Sequence, residues 1–211
     1  MYKLYLFEDF DSITKQFLEQ CISVLPQERK QKALNYRFDI DRKMSVISYL
    51  LLLYALRENY GIANPHISYG AFGKPFLTEY PGIHFNISHC PKGCICAVSD
   101  KKIGVDIQDI RPFSWDIARC VCYENELKLL ECAEDKALLF TKIWAMKESY
   151  VKMTGEGIAN INLIDTTKIK DKIITFDRKR IIISIVKNKK VPININSLDC
   201  LKNLCQYSRG L

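Results

Sequence analysis

Apolar and polar residues along this chain repeat with two periods, one typical of strands and one typical of helices. The first third predicts one strand followed by three helices, at residues 2–7, 11–22, 26–38 and 39–60. Asp11 or Ser12 suits the N-terminal cap of the first helix, and Pro26 suits the first turn of the second. Asp39 or Asp41 suits the start of the third helix, and Gly61 suits its C-terminal cap.

The rest of the chain returns to strands and then repeats the change to helices. Short strands bounded by turn residues are predicted at 67–69, 83–87, 95–98 and 103–107. Helices are predicted at 114–122, 123–132 and 135–153, strands at 173–176 and 181–186, and a weak helix or tail at the end. The pattern predicts an α+β protein of two similar lobes, 1–103 and 104–211, each a small sheet packed with helices.

Composition and charge favour a globular protein with an acidic partner. Hydrophobic residues make up 48% and charged residues 26% of the 211 positions, which argues against disorder. The net charge of +7 suggests nucleotides, nucleic acid or an acidic protein as partners, although many globular proteins carry this charge without one.

Cysteine usage and apolar runs predict a cytoplasmic protein. The nine cysteines are an odd number without framework spacing, as expected of reduced thiols. Residues 1–7 lack the long apolar stretch of a secretion signal. The densest apolar run, 46–56, is too short to span a bilayer.

Two segments carry side chains that suit metal and phosphate chemistry. Glu148 and Lys152 are four residues apart on a predicted helix and therefore share a face. Asp106 and Gln108 alternate on a predicted strand and also point together. This set can hold Mg²⁺ against a phosphate ester, but the Glu148–Lys152 spacing is equally typical of a surface ion pair.

Three further groups add phosphate-binding candidates. Ser88 and His89 end a predicted strand, where a protonated imidazole and a hydroxyl can bind phosphate. A turn that combines a glycine, a lysine and a proline allows close approach of a ligand, and basic side chains lie near the second and third helices; these candidates are Gly73, Lys74, Pro75, Lys30 and Arg42. The chain has no Walker loop, and its cysteines lack zinc-knuckle spacing.

Taken in order, these segments resemble the 4′-phosphopantetheinyl transferase superfamily, in its surfactin-synthetase-activating type. The resemblance rests on four motifs, Gly73-Lys74-Pro75, Phe85-Asn86-Ile87-Ser88-His89, Gly104-Val105-Asp106-Ile107 and Trp144-Ala145-Met146-Lys147-Glu148-Ser149-Tyr150-Val151-Lys152. The fatty-acid-dedicated members are about half as long and trimeric. A chain of this length is similar to the monomeric type, a pseudo-twofold two-lobed fold with the active site between the lobes.

The resemblance implies an activity and a set of site residues. Such enzymes transfer the 4′-phosphopantetheine group of coenzyme A to a serine hydroxyl of an apo acyl or peptidyl carrier protein, and they release 3′,5′-ADP in an Mg²⁺-dependent reaction. Three residues would ligate the metal: Asp106, Gln108 and Glu148. Others would contact phosphate or line the nucleotide pocket: Lys152, Ser88, His89, Gly73, Lys74, Pro75, Lys30 and Arg42. Among these, the resemblance implies catalytic roles for Glu148, Lys152 and His89.

One position departs from the family pattern, which places glutamate where this chain has Gln108. An amide oxygen can ligate Mg²⁺ but brings no charge and cannot act as a base. Either Glu148 or a metal-bound water would then accept the serine proton. Gln108 also motivates an alternative, a coenzyme A-binding protein of this fold with reduced or lost transferase activity. A third reading, a nucleic-acid-binding module, rests on charge alone. For the leading reading we expect no nucleic acid and no membrane as partners.

Overall fold

The structure, a computed structural model, describes residues 2–178, 180–186, 193–195 and 201–202. Its first part contains β1 (Tyr2–Phe7), α1 (Lys15–Ser23), α2 (Gln27–Leu34) and α3 (Asp39–Tyr60). Thr14, rather than Asp11 or Ser12, caps α1 by accepting a hydrogen bond from Phe17 N, because Phe10–Ser12 forms a separate 3₁₀ turn. The helix α3 ends as predicted at Gly61, in the left-handed conformation with φ of 68°.

A four-stranded sheet forms the centre of the first lobe. Besides β1 it contains β4 (His84–Cys90), β5 (Gly93–Ser99) and β9 (Ile193–Ile195), in the order β4-β5-β1-β9. The helix α3 packs against one face of this sheet, where its apolar side chains meet those of β1 and β5. A separate two-stranded ribbon joins β2 (Ile67–Tyr69) to β3 (Pro75–Leu77), a strand that the sequence pattern did not predict.

A three-stranded sheet forms the centre of the second lobe. Its strands β6 (Gly104–Asp109), β7 (Ile173–Arg178) and β8 (Ile181–Val186) pair antiparallel in the order β6-β8-β7. The helices of this half are α4 (Trp115–Val121), α5 (Glu124–Glu131), α6 (Lys136–Thr154) and α7 (Thr166–Ile169). The long helix α6 packs against β6 and β8, as α3 packs against the first sheet.

A second apolar core joins the two sheets. It combines residues of β1 and β5 with residues of β6 and β8: Leu4, Leu6, Ile95, Ala97, Val105, Ile107, Ile183 and Ile185. Each sheet is therefore covered by the other sheet on one face and by a long helix on the opposite face. The predicted α+β fold of two lobes, each a small sheet packed with helices, is confirmed.

Residues near the C-terminus return to the first lobe. Strand β9 pairs parallel with β1, and Leu201 is buried in the core beneath α3. The division into lobes 1–103 and 104–211 stays a prediction. The predicted weak helix or tail lies outside the described residues except for 201–202, which are helical. In the described part of the chain, no helix is long and apolar enough to cross a membrane.

Candidate active site

The site lies where the edge strands of the two sheets, β4 and β6, run side by side. Side chains rather than backbone groups of β4 complete the hydrogen bonding of β6. Val105 N donates to Asn86 Oδ1 at 2.9 Å, and Ile107 N donates to Ser88 Oγ at 3.4 Å. These contacts hold Asp106, which lies between the two donors and is fully buried, against β4.

Gly104 brings the helix α6 close to this junction. A Cβ atom at Gly104 would lie 1.9 Å from Ser149 O and 2.6 Å from Met153 N. The backbone of β6 therefore touches the backbone of α6, an approach that only glycine allows. As a result, Glu148 and Lys152 of α6 reach Asp106.

One ammonium group joins the acidic residues of the site. Lys152 Nζ lies 2.5 Å from Asp106 Oδ1 and 3.8 Å from Glu148 Oε2, and it donates to Ser88 Oγ at 2.9 Å. Ser88 Oγ donates to the same Asp106 oxygen at 2.7 Å. Gln108 Nε2 donates to the other oxygen of that carboxylate, Oδ2, at 2.9 Å. Because these side chains are largely enclosed, the Glu148–Lys152 pair is part of a built cluster rather than a solvated surface pair.

Burial shifts the pKa of two groups at the site, Glu148 and His89. Burial raises the pKa of Glu148, which the Lys152 ammonium lowers and the Asp106 carboxylate raises further. Partial burial and the Lys152 ammonium hold the pKa of His89 below its usual value, although the residue as a whole is exposed. His89 is therefore neutral at pH 7, and its ring can donate only one hydrogen bond to a phosphate.

The donor set fits a hard divalent cation. Asp106 and Glu148 both direct carboxylate oxygens at one positive group, Lys152, which shows that their field suits a cation. Within the described residues, no group of three or more His, Cys, Asp or Glu side chains could hold a metal ion. Gln108 lies beside this pair with its amide nitrogen facing Asp106 Oδ2, and its role as a metal ligand through the amide oxygen stays a prediction.

A cavity of about 300 Å³ opens beside the cluster. The cavity is lined by the turn that leads into β3, the strand β4, the helix α6 and the segment after α6: Phe72, Gly73, Lys74, Pro75, Asn86, Ile87, Glu148, Val151, Lys152, Gly155, Gly157 and Ile158. The structure thus brings the predicted turn Gly73-Lys74-Pro75 to the metal-binding candidates. A larger cavity of about 380 Å³, lined by Tyr49, Leu53 and Arg57 among others, shares no residue with the cluster.

Of the three other basic candidates, two have side chains that donate hydrogen bonds within the protein. Lys74 Nζ donates to Met153 O at 2.6 Å, and burial together with Lys102 lowers the pKa of Lys74. Arg42 donates to Ala33 O at 3.2 Å and to Tyr36 O at 2.9 Å, beyond the end of α2. Lys30 lies half-buried on α2. The phosphate-binding roles of these three residues stay predictions.

Sequence reasoning missed two residues that shape the site. Asn86 was quoted only as part of a motif, yet its side chain binds the backbone of β6. Asn86 and Ser88 alternate with apolar residues in this strand. That pattern was the signal that could have marked Asn86 as well as Ser88. Lys147 carried no predicted role, but it is fully buried and charged.

Comparison with known proteins agrees with this geometry. A family model described as the 4′-phosphopantetheinyl transferase superfamily matches residues 102–195, and one described as 4′-phosphopantetheinyl transferase, N-terminal, matches residues 11–101. The two matches run without a gap through most of the chain. The chain belongs to the 4′-phosphopantetheinyl transferase superfamily.

Individual relatives place the chain within the superfamily. A 4′-phosphopantetheinyl transferase of Bacillus subtilis is 30% identical over 145 residues, which cover 67% of this chain and 65% of the relative. The transferase Sfp of Bacillus subtilis strain 168 is 28% identical over 67% of this chain and 65% of its own length. The transferase gsp of Aneurinibacillus migulanus is 29% identical over 89% of this chain and 75% of its own length. The chain is of the Sfp-like type, and its match spans just under two thirds of the two Bacillus proteins.

Proposed function

We propose that this protein transfers the 4′-phosphopantetheine group of coenzyme A to a serine hydroxyl of an apo carrier protein and releases 3′,5′-ADP. The observation that carries the proposal is the Asp106–Lys152–Glu148 cluster beside a cavity lined by Gly73, Lys74 and Pro75. The family membership and the names of the relatives support the same reaction.

In this reaction the serine oxygen attacks the phosphorus next to the pantetheine arm, and the bond from that phosphorus to the ADP oxygen breaks. Asp106 and Glu148, with Gln108, would hold Mg²⁺, which neutralises diphosphate charge when it is bound. Lys152 and Ser88 contact phosphate oxygens, and His89 donates one hydrogen bond from its neutral ring. Gly73, Lys74 and Pro75 form the nucleotide pocket, and Lys30 and Arg42 are candidates for the remaining phosphate.

The serine proton needs an acceptor within the site. A carboxylate of ordinary pKa is a weak base at neutral pH, and a raised pKa improves it. Either Glu148 or a metal-bound water is the acceptor, because the burial that raises the pKa of Glu148 in the metal-free protein would be offset by the charge of a bound Mg²⁺.

The partners follow from charge and chemistry. Carrier proteins of acidic surface would be attracted by the net charge of +7, which raises the association rate at low ionic strength. We further propose that the protein acts as a monomer in the cytoplasm. In the described part of the chain none of the cysteines forms a disulfide, which is compatible with a reducing compartment.

Intact-mass analysis tests the proposed transfer. The protein is incubated with coenzyme A, Mg²⁺ and several apo carrier proteins, and each carrier is expected to gain the mass of one phosphopantetheine group. A carrier with its acceptor serine changed to alanine is the control and should gain none. The absence of a mass gain across all the carriers would contradict the proposal.

Gln108→Glu tests the metal-binding role of this position. An added carboxylate strengthens the site for a divalent cation, so the Mg²⁺ concentration that gives half-maximal transfer is expected to fall severalfold. Titration of Mg²⁺ in the transfer assay measures it. An unchanged Mg²⁺ requirement would place Gln108 outside the metal site. If both the wild type and Gln108→Glu bind coenzyme A but transfer no phosphopantetheine, the alternative is favoured, a protein that has lost the activity.

A further inference from the structure

A buried ion pair lies behind the active-site helix. Lys147 of α6 and Glu126 of α5 are both fully buried, with 2.8 Å between Nζ and Oε2. Lys147 precedes Glu148, but adjacent residues on a helix project about 100° apart, so the two side chains serve different surroundings. No role in the proposed transfer uses this pair.

Backbone carbonyls account for the remaining hydrogen bonds of the ammonium. Lys147 Nζ donates to Val121 O at 2.9 Å, to Ile161 O at 3.1 Å and to Ile164 O at 2.6 Å. The last two carbonyls belong to the segment that follows α6. A lysine ammonium carries three N–H donors, so this one side chain can bind several such carbonyls.

Glu126 holds the same segment at its far end. Its Oε1 accepts from Thr166 N at 2.8 Å and from Thr166 Oγ1 at 2.6 Å. Its Oε2 accepts from Tyr123 N at 2.7 Å as well as from Lys147. We call Lys147, Glu126 and Thr166 the polar clamp.

The segment that the clamp holds is a wall of the cavity. Gly155, Gly157 and Ile158 line the cavity from this segment. A Cβ atom at Gly157 would lie 3.5 Å from Phe72, and one at Gly155 would lie 2.9 Å from Lys74, so the wall sits closely against the opposite lobe. Between Gly155 and Asp165 the only regular structure is one 3₁₀ turn, Ile161–Leu163. Few local bonds therefore fix the wall.

We propose that Lys147 and Glu126 are positioning residues for the coenzyme A site, because the polar clamp fixes the cavity wall at 155–164. The proposal rests on the proposed function for its ligand. Replacing a buried ion pair with apolar residues of similar size is often neutral for stability, so the pair's mutual attraction alone does not explain these two charges. The carbonyls of Ile161 and Ile164 do require a donor.

Two variants separate positioning from stability. Lys147→Met leaves Glu126 as an unpaired buried charge and is expected to lower Tm strongly. Lys147→Met with Glu126→Gln removes that charge and is expected to recover part of the Tm, while the carbonyls of Val121, Ile161 and Ile164 still lack their donor. In this double variant we expect the Kd and KM for coenzyme A to stay about tenfold raised, with kcat changed much less, since a displaced wall weakens binding.

Amide hydrogen exchange reports on the wall without any ligand. Exchange across 155–165 is expected to be faster in the double variant than in the wild type, with α3 unchanged. Lys142→Met, a half-buried lysine on the same helix, is the matched control and should alter neither exchange nor coenzyme A binding.

The proposal is overturned if the double variant binds coenzyme A as the wild type does, or if exchange across 155–165 is unchanged. Calorimetry with coenzyme A and hydrogen exchange do not depend on transfer. A wild type that binds coenzyme A without transferring it would therefore contradict the proposed function and leave the clamp to be judged by these two measurements.

Discussion

Asp106 concentrates the chemistry of the site in one residue. It is fully buried, and its carboxylate accepts hydrogen bonds from Ser88, Lys152 and Gln108. A buried carboxylate that accepts three hydrogen bonds holds its partners in fixed positions. The sequence identified Asp106 as a candidate, but an aspartate on a strand has many ordinary roles, and only its neighbours from β4 and α6 separate them.

Asp106→Asn is expected to lower kcat/KM for transfer by about 10²-fold or more, because the charge that holds Lys152 and would hold the metal is lost. Initial rates with coenzyme A and an apo carrier measure it. Asp109→Asn on the same strand is the control, since Asp109 pairs with the exposed Arg111 and should leave the rate within a few-fold of the wild type. A similar loss in both variants would contradict the assignment.

Glu148→Gln is expected to stabilise the metal-free protein in a pH-dependent manner. Burial raises the pKa of Glu148 in the folded protein above its ordinary value of 4.5, so folding favours its protonated form. The stabilising contribution of that form is complete below pH 4.5 and is lost as the pH rises through the raised pKa. The free energy of unfolding of Glu148→Gln should therefore rise relative to that of the wild type as the pH rises through this window. By pH 8 the difference should be constant.

Urea denaturation in the presence of a metal chelator, at several pH values from 4 to about 8, measures the difference between the two proteins. The same variant should transfer phosphopantetheine slowly, since it lacks a metal-binding carboxylate. A higher free energy of unfolding for the wild type at pH 8 would show that burial does not destabilise the ionised Glu148 carboxylate.

The element that matters most is the contact between β6 and α6. The sequence predicted both to within two residues, as strand 103–107 and helix 135–153, because hydrophobic periodicity depends on neighbours in the chain. Their direct contact was not predicted. In the two-stranded ribbon, by contrast, β3 was not predicted. It begins at Pro75 and has only three residues, too few for an alternating pattern.

Gly104→Ala is expected to destabilise the protein by about 3 kcal/mol or more, because the added methyl group meets the backbone of α6. Transfer should fall as well, since α6 must move away from Asp106. Gly82→Ala is the control, because no atom lies within 4 Å of a Cβ at Gly82. Equal urea midpoints for the two variants would show that α6 does not pack as described.

At the scale of the whole molecule, residues far apart in the chain join the two sheets. Glu8 follows β1 and forms a bidentate pair with Arg178 of β7, with distances of 3.0 to 3.1 Å. The shared core beneath adds Leu4 and Leu6 from one sheet and Ile183 and Ile185 from the other. These contacts make the position of one lobe depend on the other, and the candidate site lies at their junction.

A double-mutant cycle with Glu8→Gln and Arg178→Met measures this link. The coupling free energy is expected to be about 1 kcal/mol, because the pair is bidentate but Arg178 is partly exposed. Urea denaturation at low salt gives the four stabilities, and the coupling should weaken at high salt. A coupling of zero at low salt would mean that the pair does not form in solution.

The sequence by itself determined most of the elements, the α+β class and the family, because hydrophobic periodicity and short motifs depend on neighbours in the chain. It also marked Asp106, Glu148, Lys152 and Ser88 as candidates. Only the tertiary structure decided that these residues meet, since the meeting depends on a missing Cβ at Gly104 and on side chains that bridge two sheets. It also showed that Lys147, adjacent to Glu148 in the same motif, is buried and bound to backbone carbonyls. Contacts between distant segments follow from packing, and no local pattern records them.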